Sequence, residues 1–551
     1  MTAAIYFHPE AYSTAGPKLM GRNAAGESFL RGFFAHSTGH QFHAQVAHPD
    51  HGRAFQQAAQ VNGREEPVHV ITKANLATLK EAGTIFHPGP GLGEHAWQRA
   101  LFGNANWSLC GITHTTSSAR AMDAIVELLT APVQPWDALI CTSTAVKSNV
   151  ERLLQGQLDY LTARLGISKI ILPQMPVIPL GIHTDDFVFT ESQQKSARDR
   201  LGADSETMVV LFMGRLSFHA KAHPLAMYQA LERAAAASGK QVLLVECGWH
   251  ANDHIKNAFT EAARYASPQV RVITLDGREE AMRTDAWASA DVFCSLSDNI
   301  QETFGITPIE AMAASLPVVV ADWDGYRDTV RHEVDGFRVP TLLPQAGLGG
   351  DIAARHALGI DSYDLYCGHT CMLAAVDIEE TADAFTKLFN SAELRAKMGA
   401  EGRARARHIY DWAAIIPQYE ALWASLADIR QKAGAGLPMP VHPWPARMDP
   451  FHAFATYPTH TLTRDTVLGF MPEQDAAQVF NRLTEMRQLA MVRFPQVNLA
   501  DDVDVAAICA ALTNGPARAE QLVAGVIEAR RPFALRSLAW MVKLGLIKVV
   551  P

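Results

Sequence analysis

No apolar run in this sequence approaches the roughly 18 residues that a membrane-crossing helix needs. The longest, such as VVLFM and PVVVA, are the size of strands. The amino terminus, MTAAIYFHPEAY, has no basic stretch leading into an apolar core, which predicts no secretion leader. Cysteine is sparse: seven residues, at 110, 141, 247, 294, 367, 371 and 509, form an odd and dispersed set. That pattern excludes a small disulfide framework and predicts reduced thiols in a cytoplasmic chain. Positive charge is not in excess either, since 48 Lys and Arg stand against 57 Asp and Glu, a net −9. Such a chain does not coat nucleic acid or an anionic bilayer by bulk electrostatics, so no nucleic-acid partner is expected. Peripheral contact with the inner face of a membrane stays open. Low-complexity tracts and internal repeats are missing.

What is present is enough apolar material for several cores. Hydrophobic residues make up 48% of the 551, and a chain of this length predicts three or four domains. Short β-branched runs alternate with longer amphipathic stretches, twice over. The first set of strands is read at Ala3–His8, His69–Thr72, Thr84–His87, Ser108–His114, Ala138–Thr142 and Val177–Leu180. The second is Met208–Met213, Gln241–Glu246, Val270–Leu275, Asp291–Ser295 and Pro317–Ala321. Their unbroken apolarity suits parallel strands covered on both faces. Helices between them, such as Ser28–Ala35, Thr144–Leu165, His223–Ser238 and Thr307–Ala314, complete the pattern. The expected fold class is α/β: two Rossmann-like, doubly wound domains facing across a cleft, with a small, mainly helical domain behind. The boundaries expected are 1–185 for the first domain and 186–378 for the second. Returning helices follow at 379–430, a linker rich in Gly and Pro at 431–450, and the helical module at 451–551.

The segment with most chemistry is 291–328, DVFCSLSDNIQETFGITPIEAMAASLPVVVADWDGYRD. A polar loop after the strand holds Glu302, Phe304, Gly305 and Ile306. A helix then begins near Thr307-Pro308, where proline costs no hydrogen bond. Its free N–H groups offer a phosphate site, and Glu302 and Glu310 would bracket it and accept from sugar hydroxyls. The plainer reading makes Glu302 a cap and Glu310 part of a solvated face. A second loop, Gly214-Arg215-Leu-Ser-Phe-His-Ala-Lys221, follows a strong strand. Its arginine and lysine could clamp a diphosphate, or could be ordinary solvated charges.

Together these segments resemble the retaining family-4 glycosyltransferases with the GT-B fold. The likeness rests on Glu302 and Glu310 with seven residues between them, Phe304-Gly305 inside that spacing, and Gly214-Arg215 followed by Lys221. Pro179-Leu-Gly181-Ile-His183 resembles the family's interdomain signature, and MGAEGRARARHIYDWAAIIPQYEALW its closing helices. The resemblance covers about 1–430. It implies a transferase that moves a sugar from a nucleotide-diphosphate donor, most often a UDP-sugar, with retention of configuration, in carbohydrate biosynthesis. By position it implies that Glu302 contacts donor-sugar hydroxyls, that the Gly305 and Ile306 backbone lies against the diphosphate, and that Phe304 belongs to the donor site. Glu310 would bind the ribose, and Arg215 and Lys221 would neutralise the leaving group. It also implies donor-side roles for Gly214 and Gly26, the latter in Gly21-Arg-Asn-Ala-Ala-Gly26-Glu-Ser28, where the family's paired glycines are replaced by Ala25-Gly26. His114 matches the family's active-site histidine, with a sugar 6-hydroxyl as partner. No metal and no other cofactor is expected. The acceptor stays open: saccharide, lipid-linked, small molecule or protein. An epimerase or phosphorylase of the same fold, or a silent scaffold that only binds sugar nucleotide, are the alternatives.

Cys367-Gly-His369-Thr-Cys371 has the residue types of a metal site but too few ligands for structural zinc. In the last hundred residues, Val505–Leu512, Ala517–Glu528 and Phe533–Leu544 read as helices and Leu546–Val550 as a strand. That order resembles a winged-helix domain. Arg530, Arg531 and Arg536 form only a small basic cluster, so acceptor recognition or homo-oligomer formation is expected above DNA binding.

Overall fold

The computed structural model describes residues 2–13, 21–434 and 441–550. The chain divides into two compact units, 1–444 and 445–551. The first unit holds two six-stranded sheets, every neighbouring pair parallel. In the first sheet the strands are β1 Ala4–Phe7, β2 Phe42–Val46, β3 Val68–Ile71, β4 Thr84–Phe86, β5 Ser108–Ile112 and β6 Ala138–Ile140. Their order across the sheet is β3-β2-β1-β4-β5-β6. The second sheet has β7 Met208–Met213, β8 Val242–Gly248, β9 Arg271–Asp276, β10 Val292–Ser295, β11 Val318–Ala321 and β12 Gly336–Val339. Its order, β12-β11-β10-β7-β8-β9, repeats the first. This is the doubly wound order, in which the chain reverses direction across the sheet beside the first strand. Two such domains in succession are the GT-B architecture.

Three strand assignments need correction. The sequence offered no strand at β2 because His43 and Gln45 interrupt the apolar Phe42, Ala44 and Val46, yet all five residues are buried. Val177–Leu180 makes only an isolated bridge, Cys141 to Val177. Prolines 173, 176 and 179 remove the donors that a full ladder needs. Gly336–Val339 is a sheet strand although glycine and arginine obscure it.

The returning helices lock the two domains together. After a π-helical turn at Ala406–Tyr410, helix Trp412–Ala433 lies along the first domain. Trp412 is wedged between two glycines. A Cβ on Gly32 or Gly181 would come within 2.4 or 2.5 Å of its ring. The indole N–H donates to Ser28 Oγ at 2.8 Å. Phe29, Phe33, Phe86, Tyr419 and Trp423 pack behind it as one aromatic cluster. The interdomain segment is stitched on by Ile182 N–H to the Tyr410 carbonyl, 2.8 Å, and Trp412 N–H to the Ile182 carbonyl, 3.1 Å.

The second unit is built on a three-stranded antiparallel sheet ordered β16-β15-β17, from β15 Val467–Phe470, β16 Ala517–Arg518 and β17 Ile547–Val549. Helices Ala476–Met486, Asp502–Leu512 and Arg531–Lys543 cover it, around Leu468, Leu483, Ile508 and Leu538. The expected helix at Ala517–Glu528 is instead a strand, one turn at Ala519–Leu522 and a 3-10 turn at Glu528–Arg530. Gly515, at φ +105°, turns the chain so that Ala517 pairs with Leu468. The arginines of the basic cluster are engaged inside the unit. Arg530 pairs with Asp501 and Asp504, Arg536 donates to the Asn498 carbonyl and Arg531 to that of Val526. Part of the expected linker, 435–440, lies outside the described residues.

Candidate active site

Ligands of open α/β sheets sit beyond the carboxyl ends of the strands where the winding reverses. In the second sheet that place lies between β7 and β10, which pair directly. The loops leaving these two strands are the two that carried the chemistry in the sequence. They meet in an ion pair: Lys221 Nζ donates to Glu302 Oε2 at 2.5 Å, with 26% and 13% of the side chains exposed. Burial pulls the Glu302 acid upward. The Lys221 charge and hydrogen bond, with the Thr303 and Phe304 amides, outweigh it and hold the carboxylate below its ordinary range. Arg215 shares the loop, donating to the Ala220 carbonyl at 2.9 Å.

Behind Glu302 the backbone is locked. Gly305 sits at φ +82° and starts helix Ile306–Ala313, which has no side-chain cap. A Cβ at Gly305 would lie 1.8 Å from the Tyr326 ring, and one at Gly325 would lie 2.4 Å from Phe304 Cα. The two loops therefore interlock through their glycines, and Tyr326 is fixed from below by Ser295 Oγ at 2.8 Å. No side chain caps this helix start, which lies beside the Lys221–Glu302 pair and leaves its first N–H groups available to an anion. Glu310, on the same helix, is half-buried, and among the described residues its carboxylate has no hydrogen-bond or ion-pair partner within the chain. Burial pushes its pKa up to about 7, against the pull of Arg283 and Lys221.

The first domain closes on this site. Thr142 Oγ1 donates to the Thr303 carbonyl and Thr303 Oγ1 to the His114 carbonyl, both at 3.3 Å. His114, at the end of β5, is thus held against the residue next to Glu302. At the start of helix Thr144–Leu165, the Thr144 N–H and hydroxyl both donate to Asp328 at 2.6 Å. Ser143 Oγ reaches Asp324 Oδ1 at 3.4 Å. Asp324 adopts φ +43°, and its other carboxyl oxygen is buried without a partner. Burial, reinforced by the neighbouring Glu302 charge, raises its pKa to about 8.

The structure therefore joins Lys221 to Glu302 directly and keeps Arg215 on the Lys221 loop, which opens at Gly214 (φ +150°). Gly305, Ile306 and Glu310 run on from Glu302, and the His114 carbonyl is tied to Thr303, while the Phe304 side chain is buried in the core. Gly26 is placed differently. It lies inside helix Gly21–His36, where a Cβ would come 2.1 Å from the Ala11 carbonyl oxygen, so packing alone demands glycine there. The loop before it, 14–20, falls outside the described residues. Sequence reasoning missed Thr303, Asp324 and the Gly248–Gly277 pair. A Cβ on Gly248 would lie 1.9 Å from the Gly214 carbonyl oxygen, and one on Gly277 2.9 Å from Gly248 Cα. Glycines placed directly after strands β7 and β9, with one ending β8, were the signal available.

Comparison with known proteins bears on this same stretch. Residues 193–346 match the family described as glycosyl transferases group 1. The matched stretch lies within the second Rossmann-like domain. Among its relatives is the phosphatidyl-myo-inositol mannosyltransferase of Mycobacterium leprae, 31% identical over 28% of this chain and 32% of the relative. The D-inositol 3-phosphate glycosyltransferase of Xylanimonas cellulosilytica is 28% identical over 38% of this chain and 46% of its own. The chain thus spans between about a third and a half of the curated relatives it matches. A crystal structure of Anabaena HepE with UDP superposes with a TM-score of 0.49 at 17% identity, over 77% of this chain and 100% of that one. The matched stretch, 193–346, contains every candidate residue of the second sheet's site. Among the described residues, no helix is long and apolar enough to cross a membrane.

Proposed function

We propose that the protein is a retaining, metal-independent glycosyltransferase that moves a sugar from a nucleotide-diphosphate donor, foremost a UDP-sugar, to a hydroxyl of its acceptor. The observation that carries this reading is the Lys221–Glu302 pair beside the uncapped start of helix Ile306–Ala313, inside the stretch that matches group 1 glycosyl transferases. A diphosphate placed at that helix start would meet free N–H groups on one side and Lys221 and Arg215 on the other. These are fixed donors aimed where negative charge grows as the sugar leaves, the arrangement that most lowers such barriers. Glu302, kept ionised by Lys221, accepts from donor-sugar hydroxyls, and Glu310 accepts from the ribose.

In a retaining transfer of this kind, the acceptor approaches the face from which the diphosphate departs. The bond from the anomeric carbon to the phosphate oxygen breaks and that oxygen takes the acceptor's proton. The new glycosidic bond then forms on the same face. His114 holds the sugar against rotation through its 6-hydroxyl. The acceptor comes from the first-domain side. Two relatives whose names give inositol-containing acceptors make a cyclic polyol, free or phosphorylated, the first acceptor to test.

The test is a thermal-shift panel of nucleoside diphosphates and their sugars in EDTA, since selective binding stabilises the folded state. UDP or a UDP-sugar should raise Tm without metal. No shift with any diphosphate would refute the donor site.

A further inference from the structure

Between β13 Thr341–Leu342 and β14 Ala375–Val376 the chain inserts two helices, Gly350–Ala357 and Tyr363–Cys371. The second carries the Cys-Gly-His-Thr-Cys motif, which the donor site leaves unused. Positions 363, 367 and 371 recur every four residues and so share one face of the helix. Each meets a loop of the site. Cys371 Sγ donates to Asp298 Oδ1 at 3.0 Å and lies 3.5 Å from the Phe218 carbonyl. Cys367 lies beside Gln301, the neighbour of Glu302, and the Gln301 side-chain nitrogen is buried without a hydrogen-bond partner among the described residues. Gly368 packs on His219, where a Cβ would come within 3.1 Å of its side chain. These contacts seat the helix on the loops leaving β7 and β10.

Tyr363, at the start of the helix on that same face, reaches the first domain. Its hydroxyl lies 2.9 Å from Ser117 Oγ and 3.4 Å from Thr115 Oγ1, within three residues of His114. One helix of nine residues therefore joins the loop carrying Lys221, the loop carrying Glu302 and the loop carrying His114. We propose that Tyr363–Cys371 is a strap across the cleft, and that Tyr363 is a positioning residue that sets His114 against the Lys221–Glu302 pair for transfer. Burial raises the phenol to about 12, so it keeps its proton, and its hydrogen bond, throughout neutral pH. The buried thiols act as anchors, with His369 turned outward to Asp361 at 3.2 Å.

The transfer half of this proposal rests on the function proposed above; the strap itself does not. Tyr363→Phe removes one oxygen and leaves the ring. In the full chain it should speed hydrogen exchange of the 113–118 amides, because the loop loses its tie to the second domain. Unchanged exchange there would overturn the strap whatever the protein catalyses. UDP affinity should stay within about twofold, while transfer falls about tenfold through kcat, as expected when one reacting partner is misplaced. Combining it with Ser117→Ala should add no further loss, because both remove the same bond. Faster exchange with undiminished transfer, or additive losses, would overturn the positioning role. Faster exchange in Tyr363→Phe, together with a wild-type protein that binds no nucleotide, would uphold the strap and refute the proposed function instead.

Discussion

Two carboxyl groups of the site titrate far from their usual range, and each makes a distinct prediction. Glu310 has a pKa of about 7 in the free protein. In the proposed function a ribose hydroxyl would donate to the ionised form, so affinity for a nucleotide-sugar should rise as pH passes from 6 to 8. The sugar diphosphate has no phosphate group titrating there. Calorimetry on Glu310→Gln should show weaker binding with that pH dependence gone. Asp324 holds a proton up to about pH 8 in the folded protein, against an ordinary value of 3.8. The folded state thus binds a proton that the unfolded chain releases, and stability must fall as pH rises from about 4 to 8. Asp324→Asn removes that loss and tolerates the positive φ. It should raise Tm by a few degrees at pH 8 and by little at pH 4; an equal gain at both would contradict the buried acid.

Helix Ile306–Ala313 depends on its first residue having no side chain in front of it. Gly305→Ala would drive a methyl into Tyr326 at a backbone angle that disfavours alanine, and should cost about 2–4 kcal/mol in chemical denaturation. Nucleotide affinity should fall with it. This element could be seen in the sequence because its signals are local: glycine, then proline in the first turn, then an apolar face. The strand β2 could not. Its buried His43 and Gln45 break the apolar run, and only pairing with β1 and β3 on both edges makes it a strand. The same holds for Asp324 and Tyr363. Nothing in their neighbours in sequence says that they meet Ser143 and Ser117, nearly two hundred residues away or more. Gly515 and Pro516 mark a break in the sequence, but nothing beside them shows that the next residues pair as a strand instead of continuing as a helix.

At the scale of the molecule, every residue assigned to the donor lies in the first unit, which ends at Trp444 stacked on Trp97 at 6.4 Å. The second unit has its own core. A chain ending at Trp444 should therefore fold, bind UDP as the full chain does, and lose transfer to the natural acceptor at low acceptor concentration. Loss of UDP binding would show that the second unit completes the donor site. The central claim is that Lys221 and Glu302 form the clamp of a retaining sugar transfer. It is tested most directly by NMR of the product from a UDP-sugar and a polyol acceptor, wild type beside Lys221→Met. The account predicts a product with the donor's anomeric configuration, formed at least about a hundredfold more slowly by the variant. An inverted product, or equal rates in the two proteins, would contradict it.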